Sequence, residues 1–427
     1  MSLDIISANR LALWLSWPSI LGEFNPLALP GNSAGQPSAS PPPEAGQCVT
    51  DLREPFREAV RSCMADHETV AVSVSGGLDS LAVLVEAARI AETDGRTVIA
   101  VMAAMTDDGG CSNVPVVQRL IAAAGLRDVE LHISRLDDIP TGELDWRPDG
   151  PDLDALPQVN RRLAEVAAEH GATVMLGGNG ADELLGAVKY LFGSFIASRD
   201  WRAFRSYWSD SIGVYRPAYR AELCAMAARL LPRSWRARIY FALEWPELCN
   251  DQVPDIVGRQ YRGHVAEWSA QWIAQTIGFH AAHRRSWARM AAWDAVFPLH
   301  LLTGPGPIPL RHPFLTPSFI SAVQQFPLSR RYDPRLPYPY WRQKAAVISL
   351  MPERVLRVLP TAKQTFRAEL ASRFLLAKCD ASCLIALGLV EKRAWEATTD
   401  PLLVNQVNRL EAWTREAIQR GCAISRD

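Results

Sequence analysis

Two short stretches concentrate the side chains that could do chemistry. The first is Ser75-Gly76-Gly77-Leu78-Asp79-Ser80. Adjacent glycines let backbone amides approach an anion closely, and nested N–H groups add positive potential. Ser75 and Ser80 bring hydroxyl donors, and Asp79 brings a carboxylate suited to Mg²⁺. The second is Gly177-Gly178-Asn179-Gly180-Ala181-Asp182-Glu183-Leu184-Leu185-Gly186. It too sets acids directly after glycines. If both turns share one edge, Asp79 and Asp182 approach each other, and a divalent cation would relieve their repulsion. A plain tight turn would explain the first stretch alone. An acidic helix N-terminus, favoured by the helix dipole, would explain Asp182 and Glu183 alone. Neither explains two such turns at one edge. The first stretch is not a Walker A loop, because no Gly-Lys-Ser/Thr follows at the required spacing.

The elements around these stretches alternate. Residues 70–74 form an apolar run with Ser73 as the only polar break, and 81–91 read as a helix. Residues 97–102, 129–133 and 173–176 read as further strands, with helices over 114–124 and 158–170 ended by Gly125 and Gly171. Short apolar strands alternating with helices predict an α/β fold, a parallel sheet flanked by helices. Ligands of such sheets sit at the carboxyl ends of the strands, where both glycine stretches fall. Residues 51–64 read as an amphipathic helix, with Leu52, Phe56, Val60 and Met64 four apart. From about 187 the pattern is helical and rich in Trp and Arg, with helix candidates at 194–207, 218–231, 266–277 and 281–295. The tryptophans read as packing anchors. The expected division is a vestigial N-terminal segment and Pro/Ser-rich linker at 1–50, an α/β core at 51–190, and a helical, substrate-enclosing part at 191–427.

Composition narrows the function classes. The 427 residues suffice for two to three domain-sized units. Lys plus Arg number 45 and Asp plus Glu 46, so no global field favours a nucleic acid. Eight cysteines in so long a chain make no disulfide framework. Cys379 and Cys383 lack a second Cys/His pair to complete a zinc site. No apolar run reaches the roughly 18 residues of a membrane span, and no secretion signal is evident. A cytoplasmic location and no membrane partner are the expectation.

Further motifs follow in order: Arg311-His312-Pro313-Phe314-Leu315, then Tyr340-Trp341-Arg342-Gln343-Lys344, then Thr361-Ala362-Lys363-Gln364-Thr365-Phe366. The first glycine stretch resembles the pyrophosphate loop of the N-type ATP pyrophosphatases. Together the four motifs resemble the synthetase domain of the asparagine synthetase family over roughly residues 50–400. That resemblance implies an adenine nucleotide alpha hydrolase-like fold, ATP and Mg²⁺ as the required small molecules, and an AMP-forming carbon–nitrogen ligase. It assigns Asp79 and Asp182 as the Mg²⁺ carboxylates, with Glu183 beside them. It assigns Ser75, Gly76, Gly77, Leu78 and Ser80 to the ATP loop, and Val74, Met102, Gly177 and Gly178 to the adenosine site, partly through backbone. Lys363 matches the lysine that stabilises charge in both transition states, a point charge where oxyanion and pyrophosphate develop. Lys344 matches the earlier of the family's two late lysines.

Three departures shape the expectation. Position 2 is Ser2, and only about 50 residues precede the synthetase-like part, where the family has a glutaminase domain opened by a catalytic cysteine. Glutamine hydrolysis is therefore expected to be absent, with an amine or ammonia as nitrogen donor. The family's Glu between the glycines is Asn179, and the related β-lactam synthetases place a tyrosine there that acts in a base dyad. An amide takes no proton at neutral pH, so the base is another group, or the amine attacks already neutral, with Asn179 orienting substrate. The aspartate after Pro-Phe-Leu is Thr316. The stretch 381–391 and the Gly180-to-Gly186 variant are similar to the macrolactam synthetases of lasso peptides. This implies a peptide carboxylate as substrate, with a leader-binding protein and a protease as pathway partners. The alternatives are a small-molecule amide or β-lactam synthetase, or a non-catalytic scaffold homologue.

Overall fold

β-Branched and small apolar residues on both faces of its strands make a sheet that must be covered on both sides. The computed structural model describes residues 5–20, 49–139, 146, 150–151, 156–186, 189–214, 216–246, 253–282, 286–296, 306–366, 369 and 378–425. Among the described residues the central sheet has five strands in the order β4-β3-β2-β5-β6. They are β2 (Thr69–Ser73), β3 (Thr97–Ala104), β4 (Glu130–Arg135), β5 (Val174–Leu176) and β6 (Leu310–Arg311). Every neighbouring pair is parallel, and Val72 faces both Ala100 and Leu176 across the ladder. Val70 and Val72 enter one core with the helices Arg53–Met64 and Leu78–Asp94. Ala71, Ile99, Val101 and Met175 enter another against the helix Pro157–Glu169. Two-sided burial is why these strands read as continuous apolar runs rather than alternating ones.

The strand order reverses between β2 and β5. β3 and β4 extend the sheet one way from β2, and β5 and β6 extend it the other way. At such a switch point the loops leaving the two adjacent strands diverge and open a crevice. Those loops are the two glycine stretches.

Several boundaries differ from expectation. The helix after the first glycine turn begins at Leu78, not at 81, so Asp79 lies in its first turn with Gly77 as N-cap. β3 runs on to Ala104, which leaves Met102 inside the strand and fully buried. The helix expected over 194–207 is two helices, Phe192–Ser198 and Trp201–Val214, separated where Arg199 turns left-handed at φ 55°. The helix candidates at 266–277 and 281–295 correspond to Arg262–Ala282 and Trp287–Val296.

The sheet layer is not confined to 51–190. β6 adds residues from far along the chain, and Phe314, Phe319, Trp341 and Val347 join the core that holds Phe56 and Leu84. Phe56 stacks on Phe314 with centroids 4.8 Å apart. Residues 5–20 do not stand alone either. β1 (Ile5–Ser7) pairs in parallel with β7 (Ala423–Ser425), and Trp14 is buried with Val257, Leu384 and Trp413. The Gln406 amide donates to the Trp14 carbonyl at 2.9 Å. A third core in the helical half is aromatic, built on Tyr190, Phe192, Tyr207, Tyr240, Trp245 and Trp287. Most tryptophans are packing anchors as expected, but Trp201 and Trp235 are exposed.

Candidate active site

The first turn of the helix Leu78–Asp94 points its unbonded N–H groups toward the carboxyl edge of the sheet, together with the positive end of the helix dipole. Gly76 supplies the reversal at φ +89°. The loop braces itself. The Gly77 N–H donates to Ser75 Oγ at 3.3 Å, the Ser75 N–H donates to Ser80 Oγ at 3.3 Å, and the Ser80 hydroxyl donates to the Gly77 carbonyl at 3.4 Å. The second turn presses directly on the first. A Cβ on Gly178 would lie 2.8 Å from Ser80 N and 3.0 Å from the Asp79 carbonyl carbon. Only glycine allows that approach, because the obstacle is backbone.

This contact brings Asp79 and Asp182 together, as the sequence predicts. Lys344 lies between them. Its Nζ donates to both Asp79 oxygens at 2.7 Å and also pairs with Asp182 Oδ1. The Lys344 side chain is only 3% exposed. It leaves the C-terminal end of the short helix Pro339–Gln343. Lys363 reaches the other Asp182 oxygen, Oδ2, at 3.0 Å, from a more open position.

The electrostatics of the pair are unequal. Burial pushes the Asp79 carboxyl above its ordinary range; Lys344 pulls it down, and the like charge of Asp182 pushes it up again. Burial acts on Asp182 in the same direction, but Lys344 and Lys363 together overcome it and hold that carboxyl low. Glu183 is raised by burial first, with Asp182 and Asp79 adding to the effect. A buried ammonium on two facing carboxylates marks their common seat as one built for positive charge. Both donors are hard oxygens, which suits Mg²⁺. Among the described residues no group of three or more His, Cys, Asp and Glu side chains is placed to hold a metal.

Two anchors fix the lysines. The segment bearing Lys363 is tied to the turn after β3. There the Gln364 amide donates to Asp107 Oδ2 at 3.0 Å and the Asp108 N–H donates to the Thr365 carbonyl at 2.7 Å. Asp107 in turn accepts from the Cys111 and Gly109 amides, and these bonds with Gln364 lower its carboxyl. The helix bearing Lys344 is tied to the helical half. Arg342 makes two bonds to Asp210, Nε to Oδ2 at 2.8 Å and Nη2 to Oδ1 at 2.7 Å, and the Tyr332 hydroxyl adds a third at 2.7 Å. Tyr340 is half-buried beside the carboxylates, and its hydroxyl is pushed up by desolvation and then by Asp79 and Asp182.

The other expected site residues are less uniform. Val74 is buried and continues β2, donating its N–H to the Val101 carbonyl at 2.9 Å. Met102 lies in β3 with its side chain fully buried in the sheet core, two residues before the strand's end. Asn179 meets His312, with Nδ2 and Nε2 3.5 Å apart. The His312 ring also covers Gly177, its Cε1 2.7 Å from where a Cβ would lie. His312, Tyr340, Asp107, Gln364 and Asp210 were not singled out by sequence reasoning. His312, Tyr340 and Gln364 stand inside the motifs given above, which is the signal that could have found them. Asp210 stands in no motif.

A parallel sheet with phosphate-suited turns at its switch point, an acid pair and two lysines defines a nucleotide-using α/β enzyme. The family model described as asparagine synthase matches residues 51–394. The chain belongs to the asparagine synthase family, and it is an ATP-dependent carbon–nitrogen ligase of that type. Among solved structures, the U34-tRNA thiolase NcsA from Methanococcus maripaludis with its [4Fe-4S] cluster is similar at 17% identity and a TM-score of 0.23. That likeness covers 56% of this chain and 78% of the thiolase chain. The comparison with curated proteins found no match. No helix among the described residues is long and apolar enough to cross a membrane.

Proposed function

We propose that this ligase activates a peptide carboxylate as its adenylate, releases pyrophosphate, and lets an amine of the same peptide close a macrolactam. The observation that carries the adenylating part is Lys344 held between Asp79 and Asp182, with Lys363 on the same acid pair. In this reading Asp79 and Asp182 would hold Mg²⁺, which would supply positive charge against the triphosphate. Lys344 then turns its charge toward the phosphates, and Lys363 faces the oxyanion that develops as the carboxylate attacks. One such donor in a dry site is worth about 10²–10³ in rate. The Ser75–Ser80 loop cradles the leaving pyrophosphate with backbone amides and hydroxyls. Burial of Lys344, with Tyr340 half-buried beside it, supports a site that excludes water from the adenylate.

The likeness of residues 381–391 to lasso macrolactam synthetases supports a peptide substrate, served by a leader-binding protein and a protease of the same pathway. A small-molecule acid is the rival substrate, and a non-catalytic scaffold is the rival role. ATP–pyrophosphate exchange separates them. Exchange should appear with peptides that carry a free N-terminal amine and an internal Asp or Glu. Exchange driven only by small acids would replace the peptide reading, and none with any carboxylate would leave the scaffold.

A further inference from the structure

Asn179 raises a chemical problem that its neighbour resolves. The attacking amine must lose a proton, and an amide side chain cannot take one. The titratable ring in contact with Asn179 is His312, with Nε2 3.5 Å from Asn179 Nδ2. Its position is fixed by the sheet. β6 ends at Arg311, and the register pairs Arg311 with Leu176, so His312 emerges level with the Gly177-Gly178 turn. The Gly177 N–H donates to the Arg311 carbonyl at 2.9 Å, which locks that level. The ring then lies over Gly177, Cε1 and Nδ1 falling 2.7 and 2.8 Å from an ideal Cβ there, so the missing side chain is what makes room for it. Nδ1 is buried in this seat, whereas Nε2 is turned toward Asn179. Pro313, Phe314 and Leu315 follow at once and are buried, which anchors the ring from behind.

The two consecutive glycines therefore have different neighbours. Gly178 lies against Ser80 and Asp79 of the nucleotide loop, and Gly177 lies against His312. Asn179 comes next, three residues before Asp182. We infer that His312 is the catalytic proton acceptor of the amide-forming step, the attacking amine taking the place of the Asn179 amide at Nε2. The step balances as follows. The amine lone pair forms the C–N bond at the acyl carbon of the adenylate. The C–O bond to the phosphate breaks, and AMP leaves with that electron pair. The surplus N–H proton passes to His312 Nε2, and the imidazolium returns it to water. General base catalysis of this kind contributes about 10²–10⁴-fold. The inference deepens the ligase reading and rests on it.

The test separates the two half-reactions, using the peptides that support ATP–pyrophosphate exchange in the wild type. In His312→Gln, exchange should stay within about threefold of wild type, while amide formation falls about 10²–10⁴-fold. In His312→Ala, added imidazole should restore part of the amide-forming rate. Hydroxylamine, which is already neutral near pH 7, should trap the adenylate equally well in wild type and both variants. Circular dichroism and the melting temperature control for misfolding. The assignment fails if exchange and amide formation fall together, if neither falls, or if Glu183→Gln alone shows the selective loss. Absence of exchange in the wild type sinks the ligase reading instead, and this inference with it.

Discussion

Lys344→Met isolates the charge at the centre of the site, because methionine keeps the length and most of the volume of the side chain. In the wild type the ammonium is enclosed, 3% exposed, and bonded to both oxygens of Asp79 and to Asp182. Removing one partner of a buried pair destabilises a protein by about 3–5 kcal/mol, because the remaining charge is stranded. Here two carboxylates are left facing each other, and only Lys363, 60% exposed, remains beside Asp182. At about 2 °C per kcal/mol for a large domain, the melting temperature at pH 7 should fall by roughly 6–10 °C. The pH dependence has a definite sign. Asp79 is already raised by burial, and without Lys344 it rises further. A group whose folded pKa lies above its unfolded value contributes stability below the unfolded value and loses it as pH rises through the folded one. The gap between variant and wild type should therefore narrow on acidification from pH 7 toward about 4–5, the carboxylate range. Millimolar Mg²⁺ without nucleotide should raise the melting temperature of the variant more than that of the wild type. Thermal melts across pH, with and without MgCl₂, read all three effects. A variant that melts with the wild type at pH 7, or a gap that widens toward acid, would refute the account of the acid pair.

Three further perturbations probe the surroundings. Lys363→Ala should lower the adenylation rate about 10²–10³-fold with the Kd of ATP changed less than about threefold, measured by exchange kinetics and calorimetry; unimpaired exchange would show that the charge comes from elsewhere. Gly178→Ala sets a methyl 2.8 Å from Ser80 N, and should destabilise the fold by about 1–3 kcal/mol and weaken nucleotide binding at least tenfold; an unchanged melt and Kd would mean the turn yields. Asp210→Ala strands the Arg342 guanidinium and should lower stability by about 3–5 kcal/mol while also reducing turnover, since Arg342 stands two residues before Lys344; a full loss of stability with turnover per folded molecule unchanged would restrict Asp210 to a structural role.

Local pattern revealed the sheet because parallel strands buried on both faces must be apolar at nearly every position. It also revealed both glycine turns, since close backbone approach tolerates nothing else. It failed where structure comes from distant pairing. β6 is two residues long, Leu310–Arg311, too short to carry any periodicity, and is specified only by its register against Met175 and Leu176. The strand through Met102 was expected to end there, because Ala103 and Ala104 do not announce a strand. Lys344 was legible as a motif lysine, but its burial was not. That follows from the Arg342–Asp210 contact, which joins residues 132 apart in sequence. His312 stands inside the Arg311–Leu315 motif, but its place over Gly177 is not legible there, because the missing side chain of that glycine gains meaning only from the ring above it.

The pairing of β1 with β7 has a consequence for synthesis of the chain. Ile5–Ser7 is made more than 400 residues ahead of Ala423–Ser425, yet each is the other's strand partner. At about 5–20 residues per second, the wait between them is on the order of 20–80 s. Through that interval Leu11, Trp14 and Leu15, which end with no exposed surface, lack the Leu384, Leu410 and Trp413 side chains that finally bury them. The strands β2 to β5 lie within residues 69–176, but their core also waits, for Phe314, Phe319, Trp341 and Val347. Until residues 381–417 are made, the apolar segment of Leu11, Trp14 and Leu15 therefore stays without the partners that bury it in the finished fold.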